Sequence, residues 1–117
     1  MSRIRLALAV VLVALVAVPV ATARTNRQAA VTVKVTMKEF KFILSKKSVP
    51  KGSVTFMVKN GGKIAHDFSI DGKKTPNVAP GKSAKLVVKF AKKGKYPYKC
   101  TVDSHAKFGM KGVLTVT

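Results

Sequence analysis

Tryptophan is absent from this chain, cysteine occurs once and histidine twice. Acids are almost as scarce. Glu39, Asp67, Asp71 and Asp103 stand against 23 lysines and arginines. A single cysteine excludes an internal disulfide, so stability must come from a core or from a metal. Four acids cannot neutralise the surface by internal ion pairing, so most lysines are solvated or face an anionic partner. The few aromatics offer no stacking platform for a nucleic acid. A length of 117 residues is enough for one domain and too little for two.

What the chain does have begins with an apolar N-terminus. Residues 1–23 read MSRIRLALAVVLVALVAVPVATA. Arg3 and Arg5 form a basic start, Leu6 to Val18 is uninterrupted and apolar, and Pro19 ends the run. Ala21-Thr22-Ala23 supplies the small residues that a signal peptidase reads, so 1–23 is expected to be a cleaved export signal. An uncleaved anchor is the alternative, although the run is short for a membrane span. No cysteine follows it that could carry a lipid. Residues 24–30 are polar and small, and are expected to form a flexible lead-in. Export sharpens the question of Cys100, because a lone thiol outside the cell is oxidised unless it is buried, capped or ligated.

Beyond Ala30 the pattern has period two. Val31, Val33, Val35 and Met37 alternate with polar residues, and Phe40, Phe42 and Leu44 continue the apolar series. Val54, Phe56 and Val58 form a second such run, and Ala84, Leu86, Val88 and Phe90 a third. Tyr96, Tyr98 and Cys100 share one face of a further strand, where the tyrosines are expected to pack the core, and residues 113–117 form the last. Lys59, Lys85 and Lys89 fall on the solvated faces. Pro50-Lys51-Gly52, Asn60-Gly61-Gly62, Asp71-Gly72 and Lys92-Lys93-Gly94 punctuate the series. No window past the N-terminus has a helical repeat. Short strands at regular spacing predict an all-β fold, a Greek-key sandwich or barrel of about seven to eight strands over 31–117.

The chemistry concentrates in Cys100-Thr-Val-Asp-Ser-His105-Ala-Lys-Phe-Gly-Met110. A strand ends on a thiol, an imidazole follows five residues later and a thioether five after that. Asp, Ser and Gly make the intervening stretch a loop rather than a helix, so one loop can present all three groups to one point. A soft thiolate, a borderline imidazole and a soft thioether suit copper far better than calcium or magnesium. The expected geometry is a His₂Cys plane with a long axial Met. The second imidazole must come from His66, the only other histidine. Structural zinc usually takes more thiolates and catalytic zinc rarely uses Met. A dinuclear centre would need a second cysteine in the loop. Alone, each of these residues would more often be packing, and it is their joint placement that argues for a site. Phe108, between two of them, has two readings: tucked into the core, or exposed in an apolar patch.

The tail YPYKCTVDSHAKFGMKGVLTV and the upstream AHDFSI segment resemble the cupredoxin family, the plastocyanins, pseudoazurins and related small blue copper proteins, including bacterial cupredoxin-domain proteins. The resemblance runs from Val31 to Thr117. It implies a type 1 copper site with His66 and His105 as imidazole ligands, Cys100 as thiolate and Met110 as axial thioether. Asp67 stands where the family commonly has Asn, and is expected to brace the two ligand loops through Thr101. Asp103-Ser104 stands where many relatives have Pro-Gly, and the Cys-to-His spacing is longer than that of plastocyanin. The resemblance further implies a monomeric electron carrier and not an enzyme, since a copper enzyme such as nitrite reductase needs a second site that two histidines cannot supply. One copper ion would cycle between Cu(I) and Cu(II), with His105 as the exit for the electron. The expected location is periplasmic, extracellular or on the cell surface. Expected partners are redox proteins with acidic docking surfaces, with anionic wall polymers or membrane surfaces as secondary contacts and no nucleic acid. Copper storage or delivery is the competing reading.

Overall fold

The computed structural model of the chain describes residues 9, 11–17 and 30–117. The expected export signal and lead-in therefore lie almost entirely outside the described residues. Among the described residues, no helix is long and apolar enough to cross a membrane.

The strands are β1 (Val31–Lys38), β2 (Lys41–Leu44), β3 (Ser48–Val49), β4 (Gly52–Asn60), β5 (Ser69–Ile70), β6 (Lys73–Lys74), β7 (Ser83–Phe90), β8 (Gly94–Lys99) and β9 (Lys111–Val116). They form two sheets, ordered β2-β1-β4-β7 and β3-β9-β8-β5-β6. The chain passes between sheets after β2, β3, β4, β6 and β7, as a Greek-key sandwich requires. These crossings make β1 parallel to β4 and β3 parallel to β9, while the other neighbours are antiparallel. The strand count exceeds expectation because β3, β5 and β6 have only two residues each. Runs that short carry no readable alternation.

The long strands follow the period-two pattern. Val33, Val35 and Met37 of β1, Val54, Phe56 and Val58 of β4, and Val88 and Phe90 of β7 point inward from one sheet. Ile70, Tyr98, Leu114 and Val116 meet them from the other. Each such side chain contributes about 1.5–3 kcal/mol on burial. Lys59, Lys85 and Lys89 are exposed, as expected. The apolar series through Leu44 is not one strand, however. The chain turns at Glu39–Phe40 and β2 runs back beside β1, pairing Lys38 with Lys41. Phe42 and Leu44 still face the core because the returning strand lies in the same sheet.

Aromatic rings consolidate the end of the sandwich towards which β4 and β8 run. Phe68 lies 5.0 Å from Phe56 and 5.6 Å from Tyr98, and Phe42 lies 5.5 Å from Tyr98, centroid to centroid. Gly112, paired with Tyr98, leaves space for that ring, since a Cβ there would collide with the phenol.

Candidate metal centre

Three connections meet at this end: the β1–β2 turn with Glu39 and Phe40, the segment from β4 to β5 with His66 and Asp67, and the β8–β9 loop with Cys100, His105 and Met110. His66, Cys100 and His105 are all buried, and their ligand atoms lie within 4.8 Å of one another. His66 Nδ1 is 3.1 Å from His105 Nδ1, which is 3.5 Å from Cys100 Sγ. Ligands held roughly 2.0–2.3 Å from one ion in a trigonal plane stand about 3.5–4 Å apart. The three donors are therefore already near coordinating separation, and their chemistry, two imidazoles and a thiol, fits copper.

The β8–β9 loop is shaped mostly by its own residues. His105–Phe108 form one turn of 3₁₀ helix, where a plain loop was expected. Four residues are too few to leave a helical repeat in the sequence. Gly109 ends the turn at φ 103°, a conformation that side chains rarely adopt, and its N–H donates to the Ala106 carbonyl. Asp103 takes φ 43°, which Asp tolerates better than most residues, so Asp103-Ser104 supports the turn. The Cys100 N–H donates to the Met110 carbonyl at 3.1 Å, and the Met110 N–H donates to the His105 carbonyl at 3.2 Å. These bonds clamp the backbone of the loop, and Met110 is fully buried.

The His66 segment is held by remote groups instead. His66 and Val78 exchange two backbone hydrogen bonds in an isolated antiparallel bridge. Buried Asn60 donates from Nδ2 to the carbonyls of Ile64 and Val78, each at 2.8 Å, and accepts the Gly62 N–H on Oδ1. Asp67 makes the expected brace. Its carboxylate accepts the Thr101 N–H at 2.6 Å and the Thr101 hydroxyl, tying the His66 segment to the residue after Cys100. The Lys74 ammonium stands 3.8 Å from the same carboxylate. The Asp67 N–H points at Cys100 Sγ from 3.5 Å.

The thiol feels opposing influences. Burial pushes its pKa up, hydrogen bonds from the Asp67 and Val102 N–H groups pull it down, and the Asp67 charge opposes ionisation. A coordinated metal overrides this balance, because a ligating thiol is deprotonated.

Asn60 and Glu39 were missed in the sequence. Asn60 reads there as the end of a strand and Glu39 as one charge in a polar alternation. The scarcity of acids was the only signal that could have singled Glu39 out. Its carboxylate accepts the N–H of Lys63 at 2.6 Å and of Ile64 at 3.0 Å, and lies 3.3 Å from His66 Nε2. The Lys63 N–H is the leading influence that holds its pKa down, at about 2. Phe108 proves to be exposed at 65%. It packs on Phe40 at 5.0 Å, and Phe40 meets the His105 ring edge-on at 5.2 Å.

Residues 7–116 match the family described as cupredoxin-like domain. The copper-resistant cuproprotein CopI of Vibrio cholerae is 31% identical over 119 aligned positions, covering 81% of this chain and 68% of that one. The dithionite-reduced auracyanin of Roseiflexus castenholzii is similar in fold, with a TM-score of 0.66 at 23% identity over 76% of this chain and 98% of that one. The periplasmic domain of cytochrome oxidase subunit II of Bradyrhizobium japonicum is another such neighbour, at TM-score 0.62 and 18% identity over 74% and 83% of the two chains.

Proposed function

The chain belongs to the cupredoxin-like domain family, and on that premise we propose that it is a type 1 copper protein carrying single electrons outside the cytoplasmic membrane. His66, Cys100 and His105 would hold the ion, together with Met110 as a weaker thioether ligand. The convergence of those three buried donors carries the reading. Copper bound there supplies a one-electron couple between Cu(I) and Cu(II).

The protein's part is to keep the donors still. Cys100 is clamped by Met110, His66 by Val78, and the two segments are tied through Asp67 and Thr101. Ligands held this way need little rearrangement when the charge at the centre changes, which suits electron transfer rather than bond chemistry. The Asp67 N–H beside Cys100 Sγ stabilises negative charge on sulfur. His105 keeps an exposure of 6%, against 0% for His66, so the electron would leave by way of His105. The positive surface would steer acidic redox partners, with rates falling as salt rises. In this reading residues 1–23 direct export, the domain works as a monomer, and it is not an enzyme.

A second reading is copper handling, storage or delivery without electron transfer. The similarity to a copper-resistant cuproprotein favours it. One experiment addresses both. Copper(II) is titrated into the mature domain and followed by visible absorption and EPR, with Cys100→Ser as control. An intense thiolate-to-copper band that the control lacks supports the type 1 site, and its absence from the parent sinks that assignment. A reversible couple with fast self-exchange then favours electron transfer, whereas rapid loss of metal to a chelator favours handling.

A further inference from the structure

Glu39 is one of four acids in the chain, and it stands in the β1–β2 turn facing the back of His66. The His66 ring is fully buried. Its Nδ1 faces His105 across 3.1 Å, and its Nε2 faces the Glu39 carboxylate across 3.3 Å. A neutral imidazole carries one N–H and one lone pair, and an ionised carboxylate can only accept. The pairing with Glu39 therefore puts the proton on Nε2 and leaves the Nδ1 lone pair for the cluster of donors.

The carboxylate is itself positioned. Two consecutive backbone N–H groups, of Lys63 and Ile64, donate to the same oxygen that approaches His66. Gly62 leaves room for it, since a Cβ there would collide with the Glu39 carboxylate. The β1–β2 turn thus reaches across to grip both the segment that carries His66 and the ring itself.

We propose that Glu39 is a positioning residue for the metal centre, which sets the tautomer and orientation of His66 and adds a negative charge behind it that favours Cu(II) over Cu(I). The inference rests on the copper reading given above, but its first part concerns the metal-free protein as well. Hydrogen bonds to the far nitrogen of a metal-binding histidine commonly fix its tautomer and raise its basicity. A purely structural Glu39 would pin the 62–64 loop and do nothing more.

Glu39→Gln separates the two roles. Its amide oxygen can still accept the Lys63, Ile64 and His66 donors, while the charge is gone. Glu39→Ala removes both. In the metal-free protein, ¹⁵N NMR is expected to find His66 protonated on Nε2 with slow exchange of that proton, and Glu39→Ala to speed the exchange at least tenfold. In the copper-loaded protein, Glu39→Gln is expected to lower the ratio of Cu(II) to Cu(I) affinity by about tenfold, which is a rise of about 59 mV in potential for one electron. If both variants keep the parent's His66 exchange rate and potential, Glu39 only pins the loop and the proposal is overturned. His66 protonated on Nδ1 in the metal-free parent would overturn it too. A parent without the thiolate-to-copper band would defeat the copper reading instead, and the NMR comparison would still decide the role of Glu39 in holding His66.

Discussion

The two segments that bring candidate donors to the centre are built in opposite ways. The β8–β9 loop holds Cys100, His105 and Met110 within one short stretch, and its bonds are mostly internal: Cys100 to Met110, Met110 to His105, Gly109 to Ala106. The segment from β4 to β5 brings only His66, and depends on Glu39, Asn60, Val78 and Thr101, residues up to 35 positions distant in the chain, as Thr101 is from His66. One loop makes its own shape and the other borrows it. The first should therefore fail through local backbone chemistry, and the second through loss of distant partners.

The strongest test of that contrast is Asn60→Ala. It leaves the Val78 carbonyl, the Ile64 carbonyl and the Gly62 N–H short of a partner. A loss of about 3 kcal/mol is expected, read as a lower urea midpoint, with reduced copper affinity because His66 is no longer held. If copper affinity survives intact, the His66 segment does not depend on the link that Asn60 makes to Val78. Gly109→Ala is the counterpart in the self-shaped loop. With φ at 103°, a side chain there strains the backbone by about 1–3 kcal/mol. The change should disturb the EPR spectrum through His105 and Met110 and leave the His66 ring resonances in place. Disturbance of both histidines alike would mean that the loops are not independent.

Asp67→Asn probes the link between the two. Asn can still accept the Thr101 N–H, so the geometry should hold while the charge near sulfur disappears. Voltammetry should find a higher potential, and an unchanged one would remove the electrostatic part of the Asp67 role. The smallest effect expected is on acid stability. The folded pKa of Glu39, at about 2, lies below its ordinary 4.5. The group therefore adds stability that is complete above pH 4.5 and lost as pH falls through about 2. Denaturant midpoints of the metal-free parent should decline over that window, and Glu39→Gln should flatten the decline. An identical decline in parent and variant would assign it to the other carboxylates.

The same contrast explains what could be read in advance. The alternating apolar residues of β1, β4 and β7 disclosed the sheet faces because a strand repeats every two residues. Cys100 and His105 could be read together as donors because a five-residue spacing within one loop survives in the linear order. The turn at Glu39–Phe40 escaped notice because the apolar alternation continues through a hairpin whose second strand stays in the same sheet. The two-residue strands and the single 3₁₀ turn are shorter than any period they could display.

Composition and local pattern thus determined the fold class, the donor types and the basic surface, since each depends on which residues are present or on neighbours within about ten positions. Tertiary structure decided what faces the back of His66, what holds its segment and how Phe40 and Phe108 lie against His105. Hydrogen bonds between residues 18 to 34 positions apart, such as Asn60 to Val78, Glu39 to His66 and Thr101 to Asp67, exist only once the sheets have packed, and a linear sequence has no period that records them.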